Sequence, residues 1–278
     1  MPRCVLLVAD PASGARRPPT MSKHPSNATA GASPILRDIS GPRIGSDEAG
    51  KGDYFGYLVI AAVFLDPEHE ESLRQIGVRD SKRMSDGVAR RLAGEIRARL
   101  PHDVVRISPR RYNDLYAKLR NLNHLLAWGH ARAIENLLER APAPLVIADQ
   151  FGDEQWLRQA LMGKGRVGAH GPLDCPSTAL GMNAQGRRAP VQLIQTPRAE
   201  QDLAVAAASV VARAVFLETL DALSARIGLT LPKGATHVME AAKELYRRGG
   251  EELLAEVAKL HFKTTRGVRQ DQEAGRRK

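Results

Sequence analysis

Hydrophobic residues along this chain are arranged in two ways. Short, uninterrupted apolar runs are typical of strands that are covered on both faces. Longer segments repeat an apolar residue every three or four positions, as one face of a helix does. The strands so predicted are 43–47, 57–65, 104–107, 145–148 and 191–195. The helices so predicted are 85–100, 121–141, 203–223, 236–248 and 251–260, the last two separated by Gly249 and Gly250.

This mixture of strands and helices predicts an α/β domain with a central mixed sheet flanked by helices. Its predicted limits are residues 41–265. Residues 1–40 are rich in Pro, Ser, Ala, Gly and Thr, and are expected to form a disordered polar tail. Residues 163–188 are rich in glycine and aperiodic, which predicts a loop insertion in the domain. Residues 266–278 are predicted to be a basic tail.

The charge balance narrows the choice of partner. A formal net charge of +10 indicates a polyanion, with nucleic acid as the first candidate. The alternative is a chain kept dispersed by its excess of lysine and arginine. Cys4 and Cys175 form no C-x-x-C motif, so we expect no zinc site or disulfide framework and a cytoplasmic location. No apolar run approaches the roughly 20 residues that cross a bilayer, so we expect no membrane partner.

Acidic residues stand at the ends of two predicted strands. Asp47 and Glu48 close the first strand, and Asp149 follows the apolar run 145–148. Carboxylates in a basic chain indicate a hard divalent cation such as Mg²⁺. This ion prefers oxygen ligands, and a phosphate of the substrate is often one of them. Neighbouring side chains in a strand point to opposite faces, so Asp47 and Glu48 cannot both enter one site from a regular strand. Either the chain turns there, or Glu48 contributes its backbone carbonyl.

The run I-G-S-D-E-A-G-K-G-D-Y-F-G at 44–56 resembles the first motif of type 2 ribonucleases H, and specifically of bacterial ribonuclease HIII. Other stretches resemble that family in the same order along the chain. They are 80–82, 112–116, 121–123, 127–131, 149–151, 204–213, 231–235 and 261–265. Because several separate motifs agree in order, the resemblance is more specific than any one of them. It implies a ribonuclease H-like fold.

The resemblance also implies four metal-binding, catalytic acids. Asp47, Glu48 and Asp149 match three of them. The fourth is expected at Glu200, with Asp202 as the substitute if the loop takes another register. These acids would hold Mg²⁺ or Mn²⁺ in a two-metal hydrolysis that leaves a 5′-phosphate and a 3′-hydroxyl.

The implied substrate is an RNA–DNA hybrid duplex, whose RNA strand is cut. The glycine-rich turn of Gly50, Lys51 and Gly52 is expected to sense the 2′-hydroxyl, the group that distinguishes RNA from DNA. Ser81 and Lys82 are expected to contact the substrate, with Lys82 on a phosphate. Arg213 and Lys233 are weaker candidates for phosphates. His130 is expected to have a structural role.

Two other functions stay open at this point: incision at single ribonucleotides in duplex DNA, as in ribonuclease HII, and hybrid binding without catalysis. The family usually carries an N-terminal substrate-binding domain, and the segment before residue 44 is too short and polar to be that domain. We therefore expect weak, salt-sensitive binding. We expect a monomer without an obligate protein partner.

Overall fold

The computed structural model describes residues 36, 39–78, 84–161 and 191–276. At its centre is a five-stranded sheet. Its strands are β1 (Arg43–Ala49), β2 (Leu58–Leu65), β3 (His102–Ile107), β4 (Leu145–Asp149) and β5 (Gln192–Thr196). Their order across the sheet is β3-β2-β1-β4-β5. β1 runs antiparallel to β2 and parallel to β4, so the sheet is mixed, as predicted.

Helices cover both faces of this sheet. They are α1 (Pro67–Gln75), α2 (Asp86–Arg99), α3 (Pro109–Leu119), α4 (Leu122–Leu138), α5 (Glu154–Leu161), α6 (Leu203–Ile227), α7 (Met239–Ala255) and α8 (Lys263–Arg276). A short 3-10 helix, Ala199–Gln201, joins β5 to α6. The predicted arrangement of a central mixed sheet flanked by helices is therefore confirmed.

Helix α6 is the centre of the core on one face of the sheet. It is apolar on all sides, which is the pattern of a helix buried in a protein interior or in a membrane. By length and composition it could cross a bilayer, but 78% of its apolar segment is buried against the rest of the fold. It packs on β1, β2 and α2. Its apolar character is therefore explained by burial in the core.

Gly45 permits an unusually close contact between β1 and α6. A Cβ atom at this position would lie 2.1 Å from the backbone carbon of Ala204. The small residues at the start of α6 therefore allow two backbones to approach closely, as their size predicts.

Helix α4 is the centre of the core on the opposite face. Leu125, Leu126, Ile134 and Leu137 are fully buried there. Ile44 of β1 belongs to the same apolar cluster. The two faces of β1 are therefore committed to different helices, and this determines where its acidic residues point.

The C-terminal end of the described chain is helical. Residues 263–276 form α8, so the prediction of a basic tail from 266 is wrong. The helix is held by Val268, which is fully buried, and by an ion pair of Arg269 with Glu251. Its few apolar residues gave no periodic signal. The predicted tail at 1–40 lies almost wholly outside the described residues, and the predicted insertion at 163–188 lies entirely outside them.

Candidate active site

Alternation along β1 separates its two acidic side chains. Arg43, two residues before the close contact at Gly45, bonds Asp202 at the start of α6, and Asp47 accepts a hydrogen bond from Ser209 of α6. The even-numbered side chains face α4 instead, where Glu48 meets His130. The strand runs on regularly to Ala49, paired with Val59. Asp47 and Glu48 therefore point to opposite faces of the sheet.

Asp149 lies on the same face as Asp47. β4 runs parallel to β1, and Ser46 pairs with Ala148, so the next residues, Asp47 and Asp149, stand at adjacent carboxyl ends. Ile147, two residues earlier in β4, packs against Val205 of α6. The structure therefore brings together the two acids that the sequence separates by about a hundred residues.

Burial and neighbouring negative charge disfavour the ionised form of Asp47. Burial first, and the negative charge of Glu48 second, raise the pKa of Asp47 from 3.8 to about 8. The charge of Asp149 acts in the same direction. Hydrogen bonds from Ser209 and from the Glu48 backbone N–H, at 2.8 Å, oppose the rise. A positive ion beside this group would favour its ionised form.

Glu48 is paired on its own face of the sheet. Its Oε2 atom lies 3.2 Å from Nε2 of His130, and its Oε1 atom lies 3.4 Å from Nζ of Lys51. Burial alone would raise the pKa of Glu48, but these two partners outweigh burial, and the pKa falls below its ordinary value. Because the strand is regular here, the side chain of Glu48 cannot join a site beside Asp47. Glu48 can contribute to such a site only through its backbone carbonyl.

The two candidates for the fourth acid have different surroundings. Asp202 is the N-cap of α6 and accepts from the backbone N–H groups of Ala204 and Val205, while Nε of Arg43 donates to it at 2.7 Å. Glu200 is half-buried in the short 3-10 helix. Its neighbour Ala199 donates its backbone N–H to Oδ1 of Asp149 at 3.1 Å. The carboxylate of Asp202 therefore has a structural role, whereas Glu200 lies next to Ala199, which binds Asp149.

The turn after β1 can be built only around a glycine at position 50. Gly50 has a φ of +86°, and a Cβ there would lie 2.1 Å from the carbonyl oxygen of Tyr57. Gly52 has open space around it, and Lys51 is partly exposed. The glycine-rich turn therefore leaves room for a ligand beside its backbone.

Lys259 fixes the segment that follows this turn. The lysine is fully buried, and its Nζ donates to the carbonyl oxygens of Asp53 at 2.9 Å and Gly56 at 2.8 Å. Its backbone N–H also donates to the carbonyl of Tyr54. Sequence reasoning missed this residue, because its position beside 53–56 depends on chain folding over some two hundred residues.

The other residues predicted to contact the substrate have the following surroundings. Arg213 and Lys233, proposed for phosphates, both pair with Asp86 at the start of α2. Ser81 and Lys82 lie outside the described residues. Ser209, a partner of Asp47, was also missed, although it lies in the matched stretch 204–213.

Asp47 and Asp149 fit a hard divalent cation by their donor chemistry, since both offer carboxylate oxygens at one sheet edge. Within the described parts of the chain, no three His, Cys, Asp or Glu side chains already stand as a metal-binding group. The pair is therefore the centre of a site that needs further oxygen ligands. The Glu48 carbonyl and the Glu200 carboxylate are the neighbouring candidates.

Known proteins are similar to this chain over most of its length. A family model described as ribonuclease HII matches residues 44–163 and 181–265. Ribonuclease HIII of Protochlamydia amoebophila is 43% identical over 224 residues, which are 80% of this chain and 67% of that protein. Ribonuclease HIII of Chlamydia abortus is 42% identical over 227 residues, which are 80% of this chain and 68% of that one.

A solved structure is similar as well. The crystal structure of Bst-RNase HIII in complex with Mn²⁺ matches with a TM-score of 0.70 and 34% identity, covering 87% of this chain and 75% of that one. The mixed sheet, with paired acids at the ends of its central parallel strands, therefore defines an endoribonuclease of the ribonuclease H class. Within that class, the chain belongs to the ribonuclease HIII family.

Proposed function

We propose that this ribonuclease H cuts the RNA strand of RNA–DNA hybrids by two-metal hydrolysis, leaving a 5′-phosphate and a 3′-hydroxyl. The observation that carries the proposal is the adjacency of Asp47 and Asp149 at one sheet edge, beside the turn at Gly50. An acidic pair in a chain of net charge +10 suits a phosphodiester substrate, because the chain's excess positive charge attracts the duplex while the acids hold cations.

Each acid has a separate role in this proposal. Asp47 and Asp149 would hold Mg²⁺ or Mn²⁺ between them, and Glu48 would add its backbone carbonyl. Glu200 is the proposed fourth acid in preference to Asp202, whose carboxylate already caps α6 and neutralises Arg43. Bound divalent ions supply Lewis acidity, which polarises the phosphate and makes water a stronger nucleophile.

Recognition of RNA is assigned to the turn of Gly50, Lys51 and Gly52. The backbone at this turn can approach a ribose closely, because Gly50 has no side chain and the space around Gly52 is open. A 2′-hydroxyl both donates and accepts hydrogen bonds, so backbone groups suffice to recognise it. We also propose that the protein works in the cytoplasm and as a monomer.

Cleavage of defined duplexes tests the proposal. A hybrid with a labelled RNA strand should be cut by the wild-type protein with Mg²⁺ or Mn²⁺, and the products should carry 5′-phosphate and 3′-hydroxyl ends. Asp149→Asn should abolish the cleavage. Unchanged cleavage by this variant would refute the site assignment. Binding of the hybrid without cleavage by the wild-type protein would favour the non-catalytic alternative.

The second candidate function is incision at single ribonucleotides in duplex DNA, which is favoured by the match to the ribonuclease HII family model. Two duplexes of identical sequence separate the candidates, one with a tract of ribonucleotides and one with a single ribonucleotide. Faster cleavage of the tract supports hybrid hydrolysis. Faster incision at the single ribonucleotide supports the alternative.

A further inference from the structure

His130 is a fully buried polar residue at the contact between α4 and β1. Its Nδ1 atom lies 2.8 Å from Oγ of Ser46, and its Nε2 atom lies 3.2 Å from Oε2 of Glu48. One face of its ring is stacked on Phe151, with ring centroids 4.8 Å apart. Phe151 follows Asp149 by two residues, so one imidazole touches the segments that carry all three matched acids.

Hydrogen-bond accounting fixes the direction of these contacts. Ser46 Oγ also lies 3.0 Å from the carbonyl oxygen of Ala61, which can only accept, so the hydroxyl proton goes there. Nδ1 of His130 must therefore donate to Ser46. The contact of Nε2 with Oε2 of Glu48, at 3.2 Å, is a second hydrogen bond on the other side of the ring. His130 is thus held at one nitrogen by β1 and holds Glu48 with the other.

The carboxyl group of Glu48 is fully engaged by this arrangement. One oxygen bonds His130, and the other faces Lys51 in the turn that follows β1. Because Asp47 and Asp149 lie on the opposite face, this carboxylate is aimed at the turn and not at the paired acids. A chain of polar contacts therefore runs from Ser46 through His130 and Glu48 to Lys51.

We infer that His130 is a positioning residue that acts through Glu48 to fix Lys51 and the substrate turn. The inference rests on the proposed function, since it assigns hybrid recognition to that turn. Mutation of a residue that orients a metal ligand typically changes metal affinity or activity by about ten- to a hundredfold, and we expect a loss of similar size for a residue that orients the substrate turn. The effect expected here falls on hybrid binding, because the fixed group belongs to the turn and not to the acid pair.

Two amide substitutions separate the contacts of His130. The amide nitrogen of glutamine can reach the place of Nε2, so His130→Gln keeps a donor for Glu48. The amide nitrogen of asparagine replaces Nδ1, so His130→Asn keeps the contact with Ser46 and loses Glu48. His124→Asn is the matched control, because His124 lies on the same helix and contacts Trp156 instead.

The test measures KM for the hybrid, kcat, the half-saturating Mn²⁺ concentration, and hybrid affinity by fluorescence anisotropy in EDTA. His130→Asn should raise KM and the dissociation constant by about tenfold or more, with little change in the Mn²⁺ requirement. His130→Gln should recover most of the loss, and His124→Asn should match the wild-type protein. The inference would be overturned if the two His130 variants bound the hybrid with the same affinity as each other, or if only the Mn²⁺ requirement changed.

Two further arms keep the outcome decisive. If the wild-type protein binds hybrids without cutting them, the proposed function fails, while the anisotropy comparison still tests His130. If the His130 variants do not fold, NMR of the wild-type protein decides. Each ring nitrogen of His130 should then share a proton that is protected from solvent exchange. An Nε2 without such a proton would overturn the inference.

Discussion

Replacing Asp47 with asparagine should stabilise the metal-free protein while abolishing its activity. The pKa of Asp47 is raised from 3.8 to about 8, so folding favours the protonated carboxyl group. This contribution to stability is complete below the unfolded pKa and is lost as pH rises through the folded pKa. Asparagine cannot ionise, and its side-chain oxygen can still accept from the Glu48 N–H. The variant should therefore not lose folding stability in this way at alkaline pH.

The size of the effect follows from the same shift. At about 1.36 kcal/mol per pH unit, the full shift corresponds to at most about 6 kcal/mol of lost stability near pH 9. Asp47 keeps some accessibility to solvent and titrates beside Glu48 and Asp149, so the stability lost through this one group is smaller, and we expect about 2 kcal/mol. For a chain of this size that gain raises Tm by roughly 4–8 °C.

Thermal unfolding followed by circular dichroism in EDTA, from pH 5 to pH 9, is the assay. The Tm advantage of Asp47→Asn over the wild-type protein should grow from pH 5 to about pH 8 and then level off. Asp221→Asn, which alters an exposed ion pair with Arg90, serves as the control and should show no such trend. Mn²⁺ should raise the Tm of the wild-type protein more than that of Asp47→Asn. An advantage independent of pH, or a less stable variant at pH 9, would refute the reasoning.

Three further predictions concern packing, capping and substrate binding. Gly45→Ala should lower the free energy of unfolding by about 3 kcal/mol or more, because β1 and α6 must separate to admit the methyl group. Gly94→Ala on α2 is the control, since Gly94 has open space around it and the substitution should not destabilise the protein. Chemical denaturation measures both free energies. Asp202→Ala should cost about 1–3 kcal/mol, because α6 loses its N-cap and Arg43 keeps only its other carboxylate partner, Glu70. Glu200→Gln should keep stability and lose cleavage, and the reverse pattern would exchange the roles of the two acids. Hybrid affinity should fall about tenfold or more between about 50 and about 200 mM salt, and a flat response in anisotropy titrations would contradict electrostatic binding.

The strands and the main helices could be predicted because their apolar patterns are strong. The runs that became β2 and β4 are buried on both faces, and such strands are apolar throughout. α6 extends past the predicted end at 223 to Ile227, where Gly228 ends it in a left-handed conformation. Non-helical backbone at Gly249 and Gly250 confirms the predicted break there, within α7.

Two of the missed helices, α1 and α3, had terminal signals instead of periodic ones. Asp66 and Ser108 are N-caps, each followed by a proline at the first helical position of α1 and α3. An N-cap followed by proline marks a helix start as well as a strand end. Val88 precedes Leu92 and Ile96 at a spacing of four residues in α2, yet Val88 is 38% exposed, and Ala89 is buried instead.

Part of the candidate site could be deduced from the sequence. The two-residue period of a strand was enough to predict that Asp47 and Glu48 cannot both enter one site from a regular strand, but it left open whether the chain turns there. The proximity of Asp47 and Asp149 depends on β1 and β4 being neighbours, which local patterns do not determine. The contact between Glu48 and His130 spans 82 residues and joins a strand to a helix. Neither segment shows this partner in its own sequence.

The central claim is that Asp47 and Asp149 together hold the divalent ions needed for cleavage, and calorimetric titration with Mn²⁺ tests it most directly. The wild-type protein should bind Mn²⁺, Asp149→Asn should lose that binding while keeping its fold, and Asp221→Asn should bind as the wild-type protein does. Mn²⁺ binding by Asp149→Asn with unchanged affinity and stoichiometry would contradict the claim.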